Sequence, residues 1–265
     1  MKKASDYRRM ARISMAGQLG TMAAAGVMKS LVLSAAVLVL VTFLAVSITG
    51  AGAAAAVGGL PVGFAEAGLI LWAIFVALLI LAALALSCLL NGGIVYQARK
   101  ATRGEDISIR DLGYGLKAQV AWKLIVLELI AFLVNLLFKV PYWAALILQR
   151  LLATMYPAGA GLFLLQGLIG AAAFLWLYVS GVIVFLFLGL SAYTLMDRPE
   201  LGPLQCVGES LRLTRRHRWK LFCLYLSFTG WWILGAMSGG IGLLWITPYF
   251  LCTVYHFYDD LRAGL

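Results

Sequence analysis

Glu128 is the one acidic residue lying deep inside a long apolar run of this sequence, LIVLELIAFLVNLLF. A carboxylate is costly to keep in such surroundings, so it is the first place to look for chemistry. It stands nine residues into a helix predicted from Gln119, about 13 Å along it at ~1.5 Å per residue, which puts it near the bilayer centre. Asn135, seven residues on, shares its face with Leu124 and Phe132. Lys123 lies about 140° round the helix and snorkels away instead of pairing with Glu128. Two chemistries suit Glu128. One is a proton- or cation-coupled site facing a cavity; the other, favoured here, is a carboxyl hydrogen-bonded to a neighbouring helix.

No catalytic constellation accompanies it. The two histidines are His217, set among arginines, and His256, at the end of an apolar run. HExxH, a Walker loop and GxGxxG are absent. Ser180-Gly181 with His256 faintly suggests an intramembrane serine protease, but the glycine expected two before the serine is Tyr178. Cys88, Cys206, Cys223 and Cys252 form no CxxC pair, so they read as reduced, apolar fillers without a metal or redox role. The expectation is a protein that is not an enzyme and has no cofactor and no metal.

The elements that must position Glu128 are set by composition. Of 265 residues, 63% are hydrophobic and 12% charged, and the mean hydropathy is +0.95. Charge so scarce cannot cover a soluble surface, and the same values exclude disorder, collagen and a disulfide scaffold. A helical polytopic membrane protein remains, because the apolar runs show no barrel-like alternation. Six runs approach the ~20 residues a crossing needs. They are Leu31–Gly50, about Gly68–Leu90, Gln119–Phe138, Ala171–Gly189, Lys220–Met237 and Ile241–Tyr258. Gly167 and Gly170 are expected to separate an outer shoulder from the fourth. The run before the small-residue stretch Ala51–Ala56 is too long for a signal core, which predicts an uncleaved first helix.

Nineteen of the 21 Lys and Arg residues fall in segments 1–30, 91–123, 196–220 and the tail, leaving only Lys139 and Arg150 on the other side. Six spans with both termini in the cytoplasm satisfy that asymmetry. The net charge of +10 then belongs to loops facing anionic lipid, not to nucleic acid. The chain reads as one membrane domain in the cytoplasmic membrane: a leader 1–30, spans one to four in 31–195, a basic helix in 196–219 and a hairpin in 220–258.

Three pieces are predicted to lie at interfaces. Ser5 caps a helix reaching Met15 on the inner leaflet, with Tyr7, Met10 and Ile13 on one side. Residues 203–218 repeat the pattern, with Leu204, Val207 and Leu211 as the stripe and Arg212, Arg215, Arg216 and Arg218 as anionic-lipid contacts. Tyr142–Tyr156 is too short to span and is expected at the outer interface. Gly50–Gly59 reads as an external loop. Gly239, Gly240 and Gly242 mark a very short turn between the last two spans, Gly235 and Gly239 a close helix approach, and Tyr255, His256 and Tyr258 the inner boundary. Pro248 breaks a helical hydrogen bond and should kink the sixth span.

The C-terminal third carries a resemblance. Ser210, Trp219 to Phe222, Leu226-Ser227-Phe228, Gly230-Trp231, Gly240-Ile241-Gly242-Leu243-Leu244-Trp245, Pro248-Tyr249 and Phe257-Tyr258 resemble the bacterial integral membrane family catalogued as domain of unknown function 975. The leader helix and Asn91 to Leu116, with Asp111-Leu112, are similar to it too. Ser180-Gly181 stands where that family usually has Pro-Gly, and Arg216 replaces a common glycine. The resemblance implies a six-span bacterial membrane protein with no assigned activity. It supplies no function; the scarcity of polar groups and the lack of an internal repeat point to a scaffold, accessory or channel-like role, with lipid and other membrane proteins as partners, a solute or ion transporter using Glu128 being the alternative and a lipid-acting enzyme a weaker one.

Overall fold

The computed structural model describes residues 3–56, 62–156 and 159–264. Among them every regular element is a helix. In chain order they are α1 (Ala4–Ser14), α2 (Leu19–Ala56), α3 (Val62–Thr102), a short 3-10 helix (Ile109–Leu116), α4 (Ala118–Phe138), α5 (Val140–Met155), α6 (Ala160–Leu188), α7 (Ser191–Asp197), α8 (Pro203–Thr214), α9 (Arg218–Met237) and α10 (Leu243–Ala263).

Five stretches among the described residues are long and apolar enough to cross a membrane: Leu19–Phe43, Ile70–Thr102, Ala118–Phe138, Gly161–Asp197 and Arg218–Met237. The chain is an all-helical membrane protein. α10 is different. Thr247, Thr253, His256, Asp259 and Asp260 dilute its apolar content, and it forms the centre of the packed core, with Cys252 to Phe257 almost entirely buried. The α9–α10 turn is the one the glycines predict, with Gly239 at φ 67° and Gly240 at φ 87°. The close approach runs from Gly235 to Gly242 and Ile246, however, and nothing stands near Gly239.

The core is lopsided. Along α3 the burial runs from Cys88 to Ala101, whereas Ile70, Leu71, Ile74, Phe75, Leu78, Leu81 and Leu84 are exposed. α6 repeats this, with Phe163, Leu164, Leu168, Phe174 and Leu175 exposed and Ser180, Val182 and Val184 buried. Packing is concentrated at the end carrying α1, α7, α8 and most of the arginines, here the basic end. α2 and α3, at 38 and 41 residues, are each about 60 Å long at ~1.5 Å per residue. That is twice a hydrocarbon core of ~30 Å, so both helices reach beyond it.

Several expectations are corrected. Residues 19–30, expected in the leader, are the first turns of α2. Helix α2 also continues to Ala56, so residues 50–56 are not loop; residues 57–59 lie outside the described residues. Helix α6 runs unbroken through Gly167 and Gly170, since isolated glycines weaken a helix without ending it. Residues 91–102 are the last turns of α3, and the 3-10 helix folds back along them. There Tyr96 and Tyr114 stack at 3.7 Å and Lys100 pairs with Asp111 at 3.0 Å. Helix α5 packs along α6, Gln149 donating to the Gln166 carbonyl at 2.7 Å.

The two basic amphipathic helices also differ from expectation. α1 begins after Lys3, whose N–H donates to Asp6 at 2.9 Å, so Ser5 is inside the helix and is not its cap. Its buried face is Tyr7, Ala11 and Met15, at a spacing of four, and Ile13 is 66% exposed. α8 ends at Thr214 and buries Cys206, Ser210, Leu213 and Thr214, leaving Leu204 74% exposed. In both, the inner stripe mixes large side chains (Tyr7, Met15, Leu213) with small ones (Ala11, Cys206, Ser210), a choice by fit against protein that hydropathy alone does not rank. Tyr255 and Tyr258 are buried in the core.

Candidate functional site

Glu128 opens onto a groove of about 300 Å³ between α3, α4 and the α6–α7 junction. Its walls include Cys88, Gly92, Val95, Leu124, Val184 and Phe185, with Asn91 and Ser191 as further polar groups. Glu128 is exposed and makes no hydrogen bond or ion pair among the described residues, so the interhelical bond expected of it is absent. Gly181, also on the groove, has no atom within 4 Å of where a Cβ would stand. Asn91 accepts from Lys29 of α2. Lys123 turns away from Glu128, as expected, and bonds the carbonyls of Pro199 and Leu201. Those carbonyls lie in the α7–α8 turn at the basic end. Glu128 is five residues past Lys123, about 7.5 Å farther along at ~1.5 Å per residue, and is the eleventh of the 21 residues of α4, the middle of that candidate crossing. Asn135 does not join it: its side-chain oxygen is buried without a partner, away from the groove.

A second polar centre holds the basic end together. Asp197, its side chain only 1% exposed, takes Arg103 on Oδ1 and Arg262 on Oδ2, with Arg99 Nε 3.7 Å from Oδ1. The three arginines come from α3, from the turn after it and from α10, so one carboxylate ties the ends of three helices. Asp259 lies in the same field; burial raises its carboxyl above the ordinary range, and Arg103 and Arg99 oppose that rise.

The seam between α1 and α10 is the third. Tyr7 donates to Asp260 at 2.6 Å, and its ring meets Phe257 edge-on at 5.4 Å. The Tyr249 hydroxyl donates to the Arg8 carbonyl at 3.3 Å. His256 Nε2 lies 2.8 Å from Ser14 Oγ, which itself donates to the Met10 carbonyl at 3.1 Å. Through this contact the serine and the imidazole join α1 to α10. Pro248 is buried within α10, which stays helical through it.

The four arginines expected at lipid separate. Arg212, beside Glu209 at 3.2 Å, lines a small cavity of about 190 Å³ with Arg216, His217 and Asp260. Arg215 is exposed beyond the end of α8. Arg218 starts α9 and lies over the Phe187 ring at 4.1 Å. Among the described residues no three His, Cys, Asp or Glu side chains come together as metal ligands.

Asp197 and the Tyr7–Asp260 pair were not singled out from the sequence. Their partners are 65 to 253 residues away, and no spacing rule reaches that far. One signal was present: an acidic residue ending an apolar run, in a chain whose acids number 11 against 21 bases.

A family model described as protein of unknown function (DUF975) matches residues 1–264, and the chain belongs to that family. No curated protein and no solved structure matches it.

Proposed function

We propose that this member of DUF975 is a non-enzymatic scaffold or accessory protein of the bacterial cytoplasmic membrane. Its basic end faces the cytoplasm, α10 serves as a sixth crossing, and both termini lie inside. The observation that carries this reading is the lopsided core. The five candidate crossings keep only 6% to 28% of their most apolar window inside the chain, while the basic end is packed and ionically tied. Such a molecule presents apolar helix surface to lipid and to other membrane proteins. The 19-to-2 distribution of Lys and Arg supports the orientation. Arg212, Arg215 and Arg216 then meet anionic headgroups, each contributing on the order of 1 kcal/mol, screened by salt. Nucleic acid has no part in it.

Single cysteines placed at Ala55 or Ala158 should react with an impermeant maleimide outside intact cells, and ones at Gly104 or Pro203 should not. The reverse pattern overturns the orientation. Purified protein should gain thermal stability from anionic lipid, and lose that gain in high salt and in the Arg212→Ser, Arg215→Ser, Arg216→Ser triple variant. A second reading, a solute or ion transporter using Glu128, is favoured by the groove at that residue. Flux through reconstituted vesicles that Glu128→Gln abolishes would establish it over the first.

A further inference from the structure

We propose that the groove beside Glu128 binds a hydrophobic organic cation, the carboxylate neutralising its charge and the apolar walls enclosing its hydrocarbon part. This goes beyond the scaffold reading and does not rest on it. It requires binding at Glu128, not passage across the membrane.

Three observations converge. The first is uncompensated charge. Glu128 has no hydrogen-bond or salt-bridge partner among the described residues, and no lysine, arginine or histidine lines the groove. Lys29 is held by Asn91, and Lys123 by two backbone carbonyls. An acid without a partner at a mostly apolar cavity is complementary to a cation and to nothing else of comparable strength. The second is the character of the walls. Val95, Leu124, Leu127, Val184 and Phe185 surround the acid, and oxygen ligands beyond it are limited to Asn91, Ser191 and backbone carbonyls. The Ser191 hydroxyl already donates to the Leu188 carbonyl. A hard metal cation needs about six oxygens, so the site is poor for one. A quaternary or protonated amine, or a phosphonium, needs one counter-charge and apolar or aromatic surface, which is what the groove supplies. The third is room. About 300 Å³ lies at the lower end of the range of small-molecule sites, and the space before Gly181 is open. Gly181 keeps it open, since any side chain there points into unoccupied volume.

The test is equilibrium binding of tetraphenylphosphonium to the full chain in nanodiscs of zwitterionic lipid. Wild type should bind saturably, near one per chain. Glu128→Gln should weaken binding by roughly tenfold or more, as expected for losing one partly desolvated charge pair. Gly181→Leu should weaken it similarly with Glu128 intact, and the neutral isostere tetraphenylsilane should not compete. No saturable binding by wild type, or binding that Glu128→Gln leaves unchanged, overturns the proposal. Should Glu128→Gln not fold, Gly181→Leu decides, because wild-type affinity in that variant also overturns it. Binding without vesicle flux would count against the transport reading alone.

Discussion

The Tyr7 hydroxyl and Asp260 Oδ2 meet at 2.6 Å, joining the first helix of the chain to the last across 253 residues. Around this bond Tyr7, Ala11 and Met15 are almost fully buried, and Ser14 reaches His256. α1 is thereby part of the packed core and not a helix floating on a leaflet. Its arginines Arg9 and Arg12 stay exposed, so docking on α10 and contact with a charged surface are compatible.

Tyr7→Ala should cost about 3–5 kcal/mol, the usual range for emptying a buried aromatic site. Tyr7→Phe keeps the ring and loses the bond to a carboxylate, for about 1.5–3 kcal/mol. Limited trypsinolysis at Arg8, Arg9 and Arg12 in detergent should be slow in wild type, faster in the Phe variant and fastest in the Ala variant. Equal rates in all three would mean α1 is not docked.

Asp197→Ala should be among the most damaging single changes outside the apolar core. It leaves Arg99, Arg103 and Arg262 facing one another with their shared counter-charge gone, and breaking a buried ion pair from one side costs about 3–5 kcal/mol. Arg262→Ala should cost less, because Arg103 remains on Asp197. Thermal unfolding of the purified variants gives the order, and adding Arg262→Ala to Asp197→Ala should restore part of the loss.

The outline of the fold was legible in the sequence because apolar length and basic loops are local signals. The helices around positions 31–50, 68–90, 119–138, 171–189 and 220–237 are where the runs placed them. The faces were not legible. Hydropathy ranked Leu204 and Ile13 as inward, yet Cys206, Ser210, Ala11 and Met15 are the buried ones, because contact with another helix selects shape as well as apolarity. Glu128 was found from its type alone. Of its two readings, the structure has the cavity and, among the described residues, no neighbour bonded to the carboxyl; the groove depends on Gly181 and Val184, more than 50 positions away, beyond the reach of any local pattern.

Burial pushes the Cys206 thiol up to about 11, from an ordinary 9.0. A folded value above the unfolded one means that the protonated thiol favours the folded state. This contribution is complete below pH 9 and falls away as pH rises toward 11. Cys206→Ala should therefore flatten the decline of thermal stability over that interval while lowering stability modestly at neutral pH. In wild type, maleimide should modify Cys206 slowly at pH 8 and become fast only on unfolding. Rapid labelling of the folded protein at pH 8 would contradict the burial.

Two glycines of α3 and α6 should respond in opposite directions to the same substitution. A Cβ at Gly93 would overlap the carbonyl of Leu112, the close approach by which the 3-10 helix packs on α3; Gly115 meets the carbonyl of Leu89 in the same way. Backbone on both sides leaves no flexible group to yield, so Gly93→Ala should pry the segment off and expose the Lys100–Asp111 pair and the Tyr96–Tyr114 stack. Gly181 is also helical, but the space around it is empty. There Gly→Ala removes a helix penalty of about 0.8–1.0 kcal/mol and adds no clash. Thermal unfolding should show Gly93→Ala well below wild type and Gly181→Ala at or above it. A Gly181→Ala variant as damaged as Gly93→Ala would mean that the groove is filled by packed protein, and the binding site proposed at Glu128 would go with it.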